Sequence, residues 1–378
     1  MDFDFIVIGA GPIGSYIGKL LAEEGFSVGI FEKKKEIGEE IVCSGIVGEE
    51  AFKRFDLPKE AILRSIPSLK IFSPSLIPIE YSRKEPFAFI VDRKVFDTIL
   101  FKSAIEKGVK GFLESKVINI VKEKNGVSVK CLKRGKEFQK TGRCIILASG
   151  TDFSLHYKAG LSLPERLLWG SEVEVKGGSS KAPIEVYVLN KPNLGSFGWV
   201  IPLKGYTKIG TLSESPKRES INTMRVKCDG RFSFDFKRVK TSPVVCGFVK
   251  KVVADRVIAV GEAAGQVKTT TGGGIYYGLI GASLAKEVLL KAAKMDNFSI
   301  KILKDYQKSL KREFGEEIKS GIMVRKLTSK MTSQIIDKFF YFLKENPSIK
   351  EELENAFRFD YHKDIITSGI KLFIKEIL

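Results

Sequence analysis

The chain has 378 residues, 43% hydrophobic and 29% charged, with 63 Lys and Arg against 45 Asp and Glu for a formal charge of +18. That length exceeds what one core usually holds, so two or three subdomains of an ordinary globular protein are expected. Five widely separated cysteines without a Cys-x-x-Cys pair, and only His156 and His362, argue against a disulfide framework, a metal site and histidine-triad chemistry.

The start is the most informative stretch. A β-branched strand, Phe3 to Ile8, runs straight into Gly9-Ala10-Gly11-Pro12-Ile13-Gly14, and Tyr16, Ile17, Leu20 and Leu21 continue with helical spacing. This order builds a dinucleotide cradle. Gly9 permits the tight turn, Gly11 lets backbone approach a pyrophosphate, and Gly14 lets the helix pack on the strand. The helix amino terminus then offers unpaired N–H groups to phosphate. A second strand, Val28 to Phe31, ends at Glu32, whose carboxylate can accept both ribose hydroxyl protons.

Further along, a loop around Cys43-Ser44-Gly45 precedes a short helix from Glu49. Strands are expected at Leu69–Phe72, Pro78–Tyr81 and Phe87–Val91, then a helix from Asp92, its cap, through Ile105. Strands follow at Lys116–Val121, Val127–Leu132 and Cys144–Leu147, the last ending at Ala148-Ser149-Gly150. From 167 to about 240 the pattern is mostly strands. A buried strand at Arg256–Val260 then leads into Gly261-Glu262-Ala263-Ala264-Gly265, a glycine-rich loop and a helix from Ile275 to Lys294. Residues 297–378 read as helical.

Nucleotide-binding elements thus fall at the beginning, middle and two-thirds point, with sheet between them. The expected fold is α/β (α+β): a discontinuous Rossmann-like domain at 1–66, 92–166 and 241–295, an inserted antiparallel-sheet domain at 67–91 and 167–240, and a helical region at 296–378.

The amino terminus has two aspartates and no basic flank, so no signal peptide is expected. The uncharged run Thr269–Ala285 holds five glycines and falls short of a membrane span. A cytoplasmic location follows. Lysines crowd residues 102–143, but no recognition motif accompanies them, so nucleic acid is not an expected partner. An anionic membrane surface or an acidic protein fits the charge better, and a Lys-rich solvated surface is the plainest explanation of all.

With these residues placed, the chain resembles the geranylgeranyl reductase family, flavoproteins of the p-hydroxybenzoate hydroxylase-like fold. The matches are the glycine turn, Cys43-Ser44-Gly45, Asp92-Arg93-x-x-Phe96-Asp97, Ala148-Ser149-Gly150, Phe197-Gly198-Trp199-Val200-Ile201-Pro202, and Gly261-Glu262-Ala263-Ala264-Gly265 through Thr271-Gly272-Gly273-Gly274-Ile275. The resemblance implies FAD as cofactor, held by Gly9, Gly11, Ile13, Gly14, Glu32, Cys43, Ser44, Gly45, Arg93, Gly150, Glu262, Gly272, Gly273, Gly274 and Ile275, with Val117 at the adenine.

The family usually has Asp where Glu262 stands, to receive ribityl hydroxyls; a solvated strand-end acid is the other reading of Glu262. Arg93 supplies a fork to phosphate or ribityl oxygens, or else an ion pair with Asp97. Cys43 is expected beside the flavin ring as a catalytic weak acid, or as a small residue packing on the cofactor. Phe197, Trp199 and Ile201 are the expected substrate wall, or ordinary core.

The implied activity is hydride transfer from reduced flavin to an isoprenoid carbon–carbon double bond of a geranylgeranyl lipid or diphosphate. With one dinucleotide motif, the electrons must come from an external donor: NAD(P)H, a reduced deazaflavin or ferredoxin. The rival readings are a flavin monooxygenase or halogenase of the same fold, whose paired tryptophans are not seen, and a non-catalytic prenyl-lipid binding protein.

Overall fold

The computed structural model describes residues 1–189, 196–214, 219–228, 230–233 and 235–376. In chain order, β1 (Phe3–Ile8), α1 (Pro12–Glu23) and β2 (Val28–Phe31) are followed by β3 (Ile46–Gly48), α2 (Glu49–Arg54), β4 (Ile62–Ile66), β5 (Ser68–Phe72), β6 (Pro78–Ser82) and β7 (Ala88–Val91). Then come α3 (Arg93–Glu106), β8 (Lys110–Phe112), β9 (Lys116–Lys122), β10 (Val127–Lys133), β11 (Lys136–Leu147) and α4 (His156–Ala159). Strands β12 (Leu167–Lys176), β13 (Ile184–Val188), β14 (Phe197–Pro202) and β15 (Tyr206–Ser213) lead to α5 (Glu219–Lys227) and β16 (Lys240–Val245). Short strands β17 (Val253–Ala254) and β18 (Val257–Ala259) precede α6 (Ile275–Lys294), α7 (Ile300–Thr328), α8 (Ser333–Glu345), α9 (Pro347–Ala356) and α10 (Lys363–Glu376).

The first sheet has a parallel centre, β18-β11-β1-β2-β8, in which Phe5 lies opposite both Cys144 and Val28. Its strands are covered on both faces, which is why β1 reads as an unbroken apolar run from Phe5 to Ile8, after the half-buried Asp4. Asp92 caps α3 as expected, accepting from the N–H groups of Lys94 at 2.9 Å and Val95 at 3.2 Å. Helix α6 has the expected bounds.

Three features differ from the sequence reading. Strand β11 begins eight residues earlier than expected, because its charged first half pairs antiparallel with β10 while its apolar second half pairs parallel with β1. The boundary at 91 does not follow the sheets: β7 sits between β3 and β4 in a small sheet of its own. Nor does the boundary at 240. Strand β16 pairs with β12 at the edge of the seven-stranded sheet β16-β12-β15-β14-β13-β5-β6, where Pro243 needs no ladder partner on its outer side.

The C-terminal helices are not a separate layer throughout. Leu303, Tyr306, Leu310, Phe314 and Ile318 of α7 enter the same core as the first sheet, and the Phe314 ring stacks on Tyr277 of α6 at 4.4 Å. From there the helical region grips the loop that precedes α6. Thr269 Oγ1 donates to the Ile318 carbonyl at 3.3 Å, and Arg325 donates to the Thr270 carbonyl at 3.1 Å. Thr270 Oγ1 meets His362 Nδ1 at 2.6 Å. Lys268 Nζ donates to Asp360 Oδ1 at 2.8 Å and to the Phe359 carbonyl at 2.9 Å, with side-chain exposures of only 6% for Lys268 and 2% for Asp360.

Asp360 Oδ2 has no hydrogen-bond partner among the described residues, so Lys268 is its principal compensation. Removing one partner of a buried pair leaves an uncompensated charge. We therefore expect Lys268→Met to lower stability by about 3–5 kcal/mol, measured by denaturant unfolding; a loss within the scatter of surface substitutions contradicts the assignment.

Candidate functional site

The ends of β1, β2, β11 and β18 converge on a cavity of about 1750 Å³. At the glycine turn, Gly9 has φ +104°, and a Cβ there would lie 2.4 Å from the Ala148 carbonyl oxygen. A Cβ on Gly14 would lie 1.9 Å from the Gly9 carbonyl oxygen, so α1 seats directly on backbone. Gly14 itself does not line the cavity; it aims α1 at it. Gly11 is different. A Cβ at that position meets nothing within 4 Å, although it caps α1 and lines the cavity. The turn thus leaves an open cradle at a helix amino terminus, which fits a pyrophosphate.

Glu32 closes one side of the cradle, its Oε2 accepting from Ala10 N–H at 2.9 Å and its Oε1 from Lys34 N–H at 2.9 Å. Both bonds hold the carboxylate in place, and each oxygen keeps a lone pair for a ribose hydroxyl. Ser115 N–H donates to the Glu32 carbonyl at 2.8 Å, which brings Val117 to the same wall. Ile13 and Gly150 also line the cavity, as do Gly272, Gly273, Gly274 and Ile275.

Arg93 makes a two-pronged pair with Asp97, Nε to Oδ1 at 3.0 Å and Nη2 to Oδ2 at 2.9 Å. The ion-pair alternative is therefore present in the structure, and both residues still line the cavity. Glu262 Oε1 accepts from Val245 N–H at 3.1 Å. Burial pushes its carboxyl from the ordinary 4.5 up to about 7, against the opposing pull of Arg93.

Cys43 is half-buried on the wall; its thiol accepts from Gly45 N–H at 3.4 Å. Ser44 lines the cavity beside it, but Gly45 does not. Gly45 has φ +79° and donates its space to the Val91 carbonyl, 2.6 Å from where a Cβ would be, so it serves the turn. The other cysteines are buried elsewhere.

Phe197 and Trp199 line the cavity and Ile201 does not. Ile201 is buried in a cluster with Ile66, Tyr81, Phe87 and Ile90. Trp199 lies over Gly210, where a Cβ would come within 2.2 Å of the ring. Its indole N–H donates to Glu172 Oε2 at 3.1 Å, and Lys208 Nζ stands 3.8 Å from Glu172 Oε1 while donating to the Cys43 carbonyl at 3.3 Å. Burial raises the Glu172 carboxyl above the usual carboxylate range.

Sequence reasoning missed this Glu172–Lys208 link between Trp199 and the Cys43 loop. A charged residue inside an apolar strand was its only signal. The missed Lys268, Asp360 and His362 also line the cavity, and burial pushes the His362 imidazole down to about 3, keeping it neutral.

Because the folded pKa of Glu262 is raised, the native flavin-free protein holds more protons than the unfolded chain between about pH 4.5 and 7, and its stability falls as pH rises through that window. Glu262→Gln removes that contribution. Denaturant midpoints of parent and variant should diverge across the window, with the parent losing ground as pH rises; parallel pH profiles contradict the burial of Glu262.

Comparison with known proteins agrees with this geometry. The family model for tryptophan halogenase matches residues 63–360, and that for an NAD(P)-binding Rossmann-like domain matches residues 7–54. Digeranylgeranylglycerophospholipid reductase 1 of Methanococcoides burtonii is 27% identical over 359 residues, covering 91% of this chain and 88% of its own. Among solved structures, a geranylgeranyl bacteriochlorophyll reductase-like protein from Thermoplasma acidophilum superposes with a TM-score of 0.86 at 18% identity, covering 99% of this chain and 97% of its own. A variant of the halogenase PltM, solved in complex with FAD, superposes with a TM-score of 0.69 at 14% identity, covering 99% of this chain and 90% of its own. With the open cradle at Gly11 and the cavity beyond it, these matches lead to one conclusion: the chain belongs to the tryptophan halogenase family, is similar to geranylgeranyl reductases, and is an oxidoreductase that uses FAD.

Proposed function

We propose that the protein saturates isoprenoid carbon–carbon double bonds of a geranylgeranyl lipid. The observation that carries this reading is the second half of the cavity. Beyond the nucleotide end its wall becomes mostly apolar, formed by Ile66, Leu69, Ile71, Ile79, Val186, Val188, Phe197 and Trp199, then by Ile336, Phe340, Leu343 and Leu353 of the C-terminal helices, with Lys330 and the Lys350–Glu354 pair as its charged lining. At about 1750 Å³ the whole exceeds the roughly 300–1,000 Å³ of a single small-molecule site. It has room for a cofactor and a long apolar chain end to end. The name of the Methanococcoides burtonii relative points to the same substrate class.

In this reading the turn at Gly9, Gly11 and Ile13 receives the pyrophosphate, Glu32 the ribose, and Val117 the adenine. Arg93 and Glu262 face the ribityl chain, and Gly273 and Gly274 with Ile275 offer backbone N–H groups to the flavin ring, whereas the Gly272 N–H is spent on the Lys268 carbonyl at 2.8 Å. Bound FAD, once reduced by an external donor, supplies the hydride for one alkene carbon, and the other carbon takes a proton. The chain's own contributions are to align the alkene and to exclude water. Trp199, held by Glu172, and Phe197 flank the place where chamber and cradle meet. Cys43, on the same wall, is the candidate proton source or orienting group. NAD(P)H, a reduced deazaflavin and ferredoxin all remain candidates for the donor.

The family match and the halogenase neighbours favour one second reading, a halogenating or oxygenating flavoenzyme. A single tryptophan in Phe197-Gly198-Trp199 speaks against the halogenase form. No helix among the described residues is long and apolar enough to cross a membrane. In this reading the substrate is met at the bilayer surface, for which the +18 charge supplies attraction.

The test is single-turnover reoxidation of dithionite-reduced flavin by a geranylgeranyl lipid without oxygen. The parent should reoxidise with saturation of the lipid. Cys43→Ser should keep its flavin and slow the step about tenfold, equivalent to about 1.4 kcal/mol of barrier. Equal rates per bound flavin would remove Cys43 from the chemistry and leave it as cofactor wall.

A further inference from the structure

The chamber reaches the surface at one end. Leu327, at the end of α7, and Ile374, near the end of α10, both line the cavity, yet they are 39% and 60% exposed. A residue that is cavity wall and surface at once marks a mouth. Along α10 the approach is graded: Ile366 is buried, Ile370 half-buried and Ile374 exposed, and all three line the cavity. Spaced four residues apart, they form one stripe of the helix, leading from the interior outwards. Phe339 of α8 meets Phe373 of α10 edge to face at 5.9 Å, beside this stripe.

The charges around this mouth are uneven. Lys326, Lys330, Lys338 and Lys371 are exposed, and among the described residues none of them is in an ion pair. Of the acids on these helices nearest the mouth, two are already engaged, while Glu345 at the far end of α8 and Glu351 and Glu352 on the neighbouring α9 are exposed and in no ion pair among the described residues. Asp337 accepts from Ser73 Oγ and from Ser75, and Glu376 pairs with Lys375. Asp364 begins α10, about 15 Å along the helix from Ile374. An apolar opening ringed by unpaired cations matches an anionic lipid surface, where lysines stay with the headgroups and apolar side chains sink below them.

We propose that this end of the molecule docks on an anionic bilayer, and that the opening at Leu327, Phe373 and Ile374 admits the isoprenoid chain of a membrane-resident substrate directly into the chamber. The proposal rests on the isoprenoid reading above and adds the route. A chain that passes from bilayer to chamber along Ile374, Ile370 and Ile366 never crosses water. The lysines bring the mouth to the lipid, and their attraction fades beyond a Debye length of about 8 Å at physiological salt.

The test uses flavin-loaded, full-length protein and vesicles of phosphatidylglycerol with phosphatidylcholine, or of phosphatidylcholine alone. In Ile374→Trp, emission should shift to the blue and be quenched by brominated lipid on the anionic vesicles only. A Lys326→Glu, Lys338→Glu, Lys371→Glu triple variant should keep its flavin and lose at least tenfold in vesicle affinity. A control triple on the lysine-rich β9–β11 hairpins, Lys124→Glu, Lys133→Glu, Lys136→Glu, should bind as the parent does. Loss in the control with none in the first triple overturns the proposal. So does an unquenched Trp at 374 on vesicles that sediment with the protein, or a mouth buried by self-association or by a partner protein. Quenching without reduction of any isoprenoid would overturn the reductase reading and leave the docking face standing. Reduction of soluble geranylgeranyl diphosphate, with the Trp at 374 untouched by lipid, would do the reverse.

Discussion

Everything at the site is placed by a contact without side chains. Where β1, α1 and β11 meet, Gly14 lies against the carbonyl of Gly9, and Gly9 lies against the carbonyl of Ala148. A Cβ on Gly14 would push the helix off the turn, and one on Gly9 would push the turn off the end of β11. Because the three segments touch through backbone, the amino terminus of α1 points straight into the cavity at the ends of the parallel strands, where α/β sheets of this kind bind their ligands. Glu32, Val117, Gly150 and Glu262 stand at or just beyond other strand ends on the same rim, so each inherits its position from that contact.

A second constraint comes from chemistry. On the proposed function, a nucleotide needs polar partners and an isoprenoid needs none, yet a hydride can pass only if the two ligands touch. The fold resolves this by building one cavity from segments far apart in sequence. The glycine turn and Glu32 supply the polar end. Strands β5, β13 and β14, with helices α8 to α10, supply the apolar end. Their junction is stiffened from both sides: the buried Lys268–Asp360 pair ties the loop before α6 to the C-terminal segment, and Glu172 with Lys208 ties Trp199 to the Cys43 loop. Buried charges are costly, and these sit where position matters most.

What was legible in the sequence was local. The glycine turn, the Asp92 cap and the bounds of α6 are set by residues within a turn or two of each other, and the family resemblance supplied the cofactor. What was not legible depends on pairing across distance. The first half of β11 looks too charged for a strand until β10 is beside it, and β16 carries a proline that only an edge position tolerates. Ile201 shares a face with Phe197 and Trp199, but it is buried with Ile66 and Phe87 rather than at the cavity, and no spacing rule reveals that. The apolar stripe on α10 and the face of α8 were readable as helical patterns. Only the fold shows that both turn toward the chamber.

The central claim is that hydride from a reduced flavin enters an isoprenoid held in this chamber. It is tested most directly by the mass of the product. Protein reduced anaerobically in deuterated water and given a digeranylgeranyl lipid should return lipid with two added hydrogens for each double bond consumed, at least one of them deuterium from the solvent. Lipid recovered unchanged while the flavin stays reduced, or turnover that appears only with oxygen and halide and leaves a halogenated product, would contradict it.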